Sequence, residues 1–403
     1  MPSEDQVETP HFLSLAERDR RHRLIRQAME EAGLDALILP ASTNRWEQSM
    51  ADARYVSGIG GFQTETLVVF PLDGEPTAFV FNRASWWRSV QEWVPDVRDG
   101  RNRWAQSIVE RLLELKLDGG SIGISQLSGQ SRTPDGVFPA GTLQRLSLGL
   151  PDAKIQDATG LMTRIRSVKS AEEVAALERA ADITDKMLQS MCQTAQPGAS
   201  EREAYAALVG TMLAEGGELP TLMIMGSGKP VPATRFVPSG RRLEAGDLLL
   251  GEFEARVAGY GAQIVAPIAV AHCDSEYVAV HEVAANALSA FLPRVRAGRT
   301  IGEIARDYVD LVGELSSGRC RSDLPTMHAR GLGDDAPVLL STKDVAEHED
   351  DVLAERMIFI LKPKVSNVEA TRTATVGRTI EVTNDGARPL NRLPVGLMIS
   401  GND

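Results

Sequence analysis

The sequence predicts a mixed α/β domain over residues 1–160, followed by an α+β domain over residues 161–403. Three observations predict it. A chain of 403 residues with 43% apolar content and mean hydropathy −0.15 has the size and composition of two ordinary globular cores. Its first part alternates helix-period with strand-period apolar spacing. Its second part sets pairs of helices on either side of one long β-hairpin, Gly246 to Pro267.

The first domain follows element by element. Leu15 to Ala32 carries apolar residues at helical spacing (Leu24, Ile25, Ala28, Met29) and stops at Gly33. A strand follows at Ala36–Pro40. Thr66–Leu72 and Thr77–Asn82 read as strands, and Asp73-Gly74-Glu75-Pro76 between them is a turn, so the pair makes a hairpin. A helix from Ala105 to Leu115 precedes Asp118-Gly119-Gly120 and the strand Ser121–Ser125. A shorter helix, Leu143–Leu148, leads to the strand Lys154–Ala158. All five tryptophans, Trp46, Trp86, Trp87, Trp93 and Trp104, lie here. Aromatic side chains supply buried area wherever they occur. Adjacent residues on one element rarely bury in the same core, so Trp86-Trp87 is a candidate face for a partner or a ligand.

In the second domain Ser170 and Glu173 form a capping box that opens a helix running to about Cys192. Gln196-Pro197-Gly198 breaks the chain. Ser200 starts a second helix, which stops at Gly216-Gly217. A strand Thr221–Met225 ends at Gly226-Ser227-Gly228. The hairpin comes next: Leu248-Leu249-Leu250, alternation through Phe253, Ala255 and Val257, a turn at Ala258-Gly259, and a return strand from Tyr260 to Val270. Helices Glu276–Leu292 and Thr300–Leu315 follow, then strands Met357–Val365 and Thr373–Thr383. Strand alternation places Glu252 and Glu254 on one face of the hairpin, with Gln263 near them on the return strand.

Composition excludes several function classes. A net charge of −12 argues against nucleic acid as a partner. The longest apolar run, Ile264 to Ala271, is short and broken by Pro267, so no membrane span is expected. Cys192, Cys273 and Cys320 are odd in number and far apart, which indicates neither a disulfide framework nor a zinc knuckle. The acidic first twelve residues carry no apolar signal core. A reducing cytoplasm is the expected compartment, and no cofactor is expected.

Several stretches together carry a family resemblance. They are Arg166-Ser167-Val168-Lys169-Ser170-Ala171-Glu172-Glu173, Ser227-Gly228, Pro238 through Asp247, Gly259-Tyr260, Ala297-Gly298, Met357-Ile358-Phe359 and Val382-Thr383-Asn384-Asp385-Gly386. In order and spacing they resemble the creatinase, prolidase and methionine aminopeptidase superfamily, in its two-domain branch. The resemblance implies a creatinase-like α/β N-terminal domain and a pita-bread catalytic domain. It also implies a homodimer, in which Trp86 and Trp87 would find a place.

The resemblance further implies a ligand set for two divalent ions: two Asp, one His and two Glu. Those positions fall here on Glu252, Gln263, His328 (in Met327-His328-Ala329-Arg330-Gly331-Leu332), Lys362 before Pro363, and about Gly377. Hard cations need several negative oxygens to offset dehydration. One carboxylate and one imidazole are too few, so no dinuclear metal site is expected. The metal-free creatinase machinery is not carried over either: its histidine position is Arg235, its return-strand carboxylate falls at about Val265, and its later Glu is again Lys362.

The remaining groups suggest chemistry without a metal. Glu252 suits a base acting on water and His328 a proton shuttle. Arg235 suits an anchor for a substrate carboxylate, with Glu254, Gln263, Lys362 and Arg330 as further substrate-binding groups. Lys362 is expected to pair with Glu252. This is hydrolysis, or elimination, at a C–N bond of a small polar amino- or amidino-type compound. The other class is a non-catalytic pseudo-peptidase that keeps the fold as a binding surface. Plain structural readings stand beside these: Glu254 as an exposed edge-strand charge, Gln263 as a hydrogen-bonding filler, Gly333-Asp334-Asp335 as a turn, and His272, His281 and His348 as ordinary surface or helix residues.

Overall fold

The computed structural model describes residues 12–40, 48–61, 64–129, 133–220, 223–229 and 237–401. Arg235 and Trp46 lie outside them. The chain forms two compact units. The first holds the described residues up to Arg166 together with Leu332–Ala336; the second holds Ser167–Gly331 and the described residues from Pro337 on. Among the described residues no helix is long and apolar enough to cross a membrane.

The first unit runs α1 (Leu15–Ala32), β1 (Ala36–Leu39), α2 (Gln48–Ser57), β2 (Thr66–Pro71), β3 (Thr77–Val80), α3 (Ala84–Val90), β4 (Asp96–Asp99), α4 (Trp104–Glu114), β5 (Ser121–Ile124), α5 (Ala140–Gly149), β6 (Lys154–Asp157) and α6 (Thr159–Ser167). Ser14 caps α1 and Gly33 ends it in the left-handed region at φ 63°. The six strands form a mixed sheet in the order β4-β3-β2-β1-β5-β6. The expected β2–β3 hairpin is present. Ile108 and Leu112 of α4 and Leu146 of α5 pack on Ile38, Val69, Ile122 and Ile124 of the sheet. The helices α2, α3 and α6 and the strand β4 were not expected, because their apolar residues follow neither period cleanly. Trp87 is buried at 3% exposure while Trp86 is 44% exposed, and their rings meet edge to face at 4.7 Å.

The second unit opens with α7 (Ala171–Thr194) and α8 (Glu201–Ala214). Both carry capping boxes, Ser170 with Glu173 and Ser200 with Glu203. There follow β7 (Ile224–Gly228), β8 (Leu248–Val257), β9 (Tyr260–Val265), β10 (Ile268–Val270), α9 (Ser275–Phe291), α10 (Ile301–Ser316), β11 (Cys320–Arg321), β12 (Met327–Arg330), β13 (Asp334–Leu339, of which residues 337–339 belong to this unit), α11 (Thr342–Glu347), β14 (Ile358–Leu361), β15 (Lys364–Asn367), β16 (Thr373–Thr375), β17 (Gly377–Val382), β18 (Ala387–Pro389) and β19 (Met398–Ser400).

Several expectations need correction. The return strand of the hairpin is broken into β9 and β10, because Pro267 offers no N–H to the ladder. Pro363 divides β14 from β15 in the same way. Gly226-Ser227-Gly228 lies within β7, paired with β8, rather than ending it. Asp334 and Asp335 open strand β13 and are not a turn.

The main sheet of this unit runs β13-β12-β14-β17-β9-β8-β10-β19, with β7 on β8 and β18 on β17. One of its faces is covered by helices. There Tyr277, Ala284 and Phe291 of α9 and Ile304, Tyr308 and Val312 of α10 pack on Phe359, Leu361, Ile380 and Val382. On the same face Tyr260 of β9 donates from its hydroxyl to Glu173 of α7 at 2.7 Å. Leu177, Ile183, Met187 and Leu188 of α7 are fully buried, each worth roughly 1.5–3 kcal/mol of apolar burial.

Candidate functional site

The opposite face of that sheet is where the candidate residues meet. Register decides it, since side chains alternate along a strand. Across β8 and β9, Glu254 faces Gln263 and Arg256 faces Gly261. Val265 of β9 faces Gly377 of β17. Leu361 of β14 faces Arg378, so Lys362 continues the row of Gly377. Ile360 of β14 faces His328 of β12. Glu252, Glu254, Arg256, Gln263, His328, Arg330 and Lys362 therefore share the face away from the helices.

Two charged groupings form there. In the first, Lys362 Nζ donates to Glu252 Oε2 at 3.0 Å and lies 3.3 Å from His328 Nε2. The expected Lys362–Glu252 pair thus forms, and the imidazole joins it. An ammonium has donors only, so His328 Nε2 is the acceptor in this contact. The Lys362 side chain is 6% exposed and that of Glu252 30% exposed. The trio opens to solvent at its carboxylate end.

In the second grouping Glu254 lies between two guanidinium groups. Arg330 Nη2 pairs with Glu254 Oε2, and Arg256 Nε stands 3.5 Å from Glu254 Oε1. Arg330 Nε also donates to the Gly261 carbonyl at 3.3 Å. Glu254 is not an exposed edge charge: it is buried, opposite Gln263 of β9. The charged ends of Glu254 and Arg330 are engaged with each other. Gly261 makes the room, since a Cβ there would stand 2.5 Å from Arg330 Nη2. Sequence reasoning missed Arg256, although it continues the Glu252–Glu254 alternation by two residues.

Gln263 is buried, and its backbone exchanges two 2.9 Å hydrogen bonds with the Thr379 hydroxyl. Among the described residues its side-chain Oε1 accepts no hydrogen bond. Elsewhere in this unit His281 is a buried residue of helix α9. Burial, with the Arg378 guanidinium nearby, pushes it down to about 4. His272 is exposed, and His348 pairs with Asp351 at 2.6 Å.

A separate buried network borders the hairpin. Glu201 at the start of α8 accepts from Ser227 N (2.9 Å), Ser227 Oγ (2.7 Å), Ser239 N (2.8 Å) and Ser239 Oγ (2.6 Å). Burial is the largest influence on this carboxyl and would raise it, but the serine hydrogen bonds together hold it below the usual value. Arg241 donates to Ser227 Oγ at 3.0 Å and pairs with Asp247 at 2.6 Å.

The donor set does not fit a pair of divalent ions. Among the described residues no three His, Cys, Asp or Glu side chains are grouped to hold one. The positions implied by resemblance present one carboxylate, one amide and one imidazole whose Nε2 faces an ammonium. A divalent ion about 4 Å from that ammonium would be repelled by about 8 kcal/mol at an effective dielectric near 20.

Comparisons with known proteins agree with this architecture. The profile of Metallopeptidase family M24 matches residues 175–384, and that of the Creatinase/Prolidase N-terminal domain matches residues 21–168. The chain is 23% identical to the uncharacterized peptidase YqhT of Bacillus subtilis, over 93% of this chain and 98% of that protein. It is 23% identical to a Xaa-Pro dipeptidase of Pyrococcus horikoshii, over 63% of this chain and 71% of that one. Among solved structures, the X-Pro aminopeptidase of Thermotoga maritima superposes with a TM-score of 0.75 at 20% identity, covering 94% of this chain and 99% of that one. A Xaa-Pro dipeptidase of Bacillus anthracis gives 0.74 at 21% identity, covering 95% and 99%.

Proposed function

The chain belongs to metallopeptidase family M24 and carries the creatinase/prolidase N-terminal domain, and on that premise we propose that it hydrolyses a C–N bond without a divalent metal ion. The substrate is a small polar amino- or amidino-type compound. One observation carries this reading: Lys362 Nζ stands between Glu252 Oε2 and His328 Nε2, at 3.0 and 3.3 Å. Glu252, the solvent-reaching member, draws a proton from the attacking water. The hydroxide adds to the carbon of the C–N bond. The departing nitrogen takes its proton from Lys362, which His328 helps to recharge with the proton drawn by Glu252. Gln263 supplies a side-chain amide to the substrate. Arg235, outside the described residues, anchors a substrate carboxylate. Arg330 and Glu254 hold each other and form a wall of the site. A homodimer belongs to the same reading and is checked by mass in solution.

The non-catalytic reading is favoured by a different observation. His328, Arg330 and Lys362 are buried at 2, 4 and 5% exposure, which is how a filled pocket looks.

One experiment separates the two. Chelator-treated protein is incubated with guanidino compounds, cyclic amidines, betaine-like zwitterions and dipeptides, and amine release is measured. Turnover in chelator that falls by about 100-fold or more in Glu252→Gln and His328→Ala supports the hydrolase. Turnover that appears only on adding metal overturns metal independence. A silent panel with no thermal shift favours the binding protein.

A further inference from the structure

We infer that Lys362 and Gly377 are an interlocked pair, in which a covalently tethered ammonium takes the place of an exchangeable cation on Glu252 and His328 and keeps divalent ions out. Lys362, the residue after β14, continues the ladder of β14 and β17 opposite Gly377, one step beyond the Leu361–Arg378 pair. A Cβ on Gly377 would stand 2.9 Å from Lys362 Cγ, 3.0 Å from Val265 Cγ2 and 3.1 Å from Val265 Cβ. Non-bonded carbon atoms ordinarily keep about 3.5–4.0 Å apart, so a lysine stem lying this close leaves room for glycine opposite it and not for a side chain. The stem crosses the volume that any side chain at residue 377 would take. Its far end then reaches Glu252 and His328 together. A cation fixed in this way is neither chelated nor exchanged, and its charge opposes a second cation beside it.

The inference rests on the metal-independent reading above, but it concerns binding and folding, so its test leaves turnover aside. Gly377→Ala is made in the native background and in Lys362→Ala. Its loss of melting temperature is expected to be smaller in the second background, where the contacts with Val265 at 3.0 and 3.1 Å remain. Equal losses in the two backgrounds overturn the interlock. In parallel, Mn²⁺ and Co²⁺ uptake is measured by equilibrium dialysis on the native chain and on Gln263→Asp/Lys362→Glu/Gly377→Glu. The native chain is expected to take up no stoichiometric ion, and the triple variant at least one per chain. Uptake by the native chain that Glu252→Gln abolishes overturns the proposal, as does a folded triple variant that takes up none. The alanine cycle reads the interlock even where the glutamate variants do not fold.

Discussion

Lys362 is the buried partner and Glu252 the wet partner of one ion pair, 3.0 Å apart, with side chains 6 and 30% exposed. The asymmetry predicts which half is harder to remove. Losing Glu252 leaves a buried ammonium without its counter-charge, whereas losing Lys362 leaves a carboxylate that water still reaches. Glu252→Gln is therefore expected to destabilise the fold by about 3 kcal/mol, and Lys362→Met by about 1 kcal/mol or less. Denaturant midpoints of the two variants check the order.

His281 gives a pH dependence with a definite sign. Its folded pKa is held down to about 4 against 6.5, by burial first and Arg378 second. A depressed group stabilises the fold above its unfolded value and loses that contribution as pH falls through the folded one. The window is therefore pH 6.5 to 4. At pH 5 the loss is expected to be about 2 kcal/mol relative to pH 7. The difference between native and His281→Gln proteins in urea unfolding at the two pH values measures it.

Glu201→Gln tests the network beside the hairpin. The carboxylate takes all four of its contacts from donors on Ser227 and Ser239, and an amide turns one acceptor into a donor facing them. A loss of about 2–3 kcal/mol is expected. The folded carboxyl is held low, so this stabilisation is present above its ordinary value and is lost as pH falls below it. Glu201→Gln should accordingly flatten part of the acid limb of a stability–pH curve.

The hairpin turn holds a removable strain. Ala258 has φ 51° and Gly259 φ 84°, both positive, as a two-residue primed turn requires. Alanine resists that region, and asparagine accepts it without the chain entropy of glycine. Ala258→Asn is expected to stabilise by about 0.5–1 kcal/mol, read as a raised denaturant midpoint.

Much of the architecture was legible because it is written in local signals. The capping box at Ser170, the helix start at Ser200, the stop at Gly33, and the turns at Asp73-Gly74 and Ala258-Gly259 act over four residues or fewer. The long helices declare a 3.6-residue period. The short elements α2, α3, β4 and β11 declare none, because a few residues buried by their neighbours need no pattern of their own. The breaks at Pro267 and Pro363 were visible as prolines, yet the apolar runs around them read as continuous.

The site divides along the same line. By itself the sequence determined the residue types: a glutamate, a glutamine, a histidine and a lysine at spaced positions, too few acids for two hard cations, and a glycine at residue 377. Alternation alone placed Glu252 and Glu254 on one face. Only the tertiary structure decided what each does there. Five strands in register carry Lys362 to Glu252, 110 residues away, and to His328. The same register turns Glu254 from a candidate edge charge into a buried carboxylate held by Arg330 and Arg256. It also sets the Lys362 stem in the space a side chain on Gly377 would fill. Local spacing specifies which face a residue is on. Which residues meet on that face depends on how distant strands are ordered and aligned, and on which of them burial removes from water.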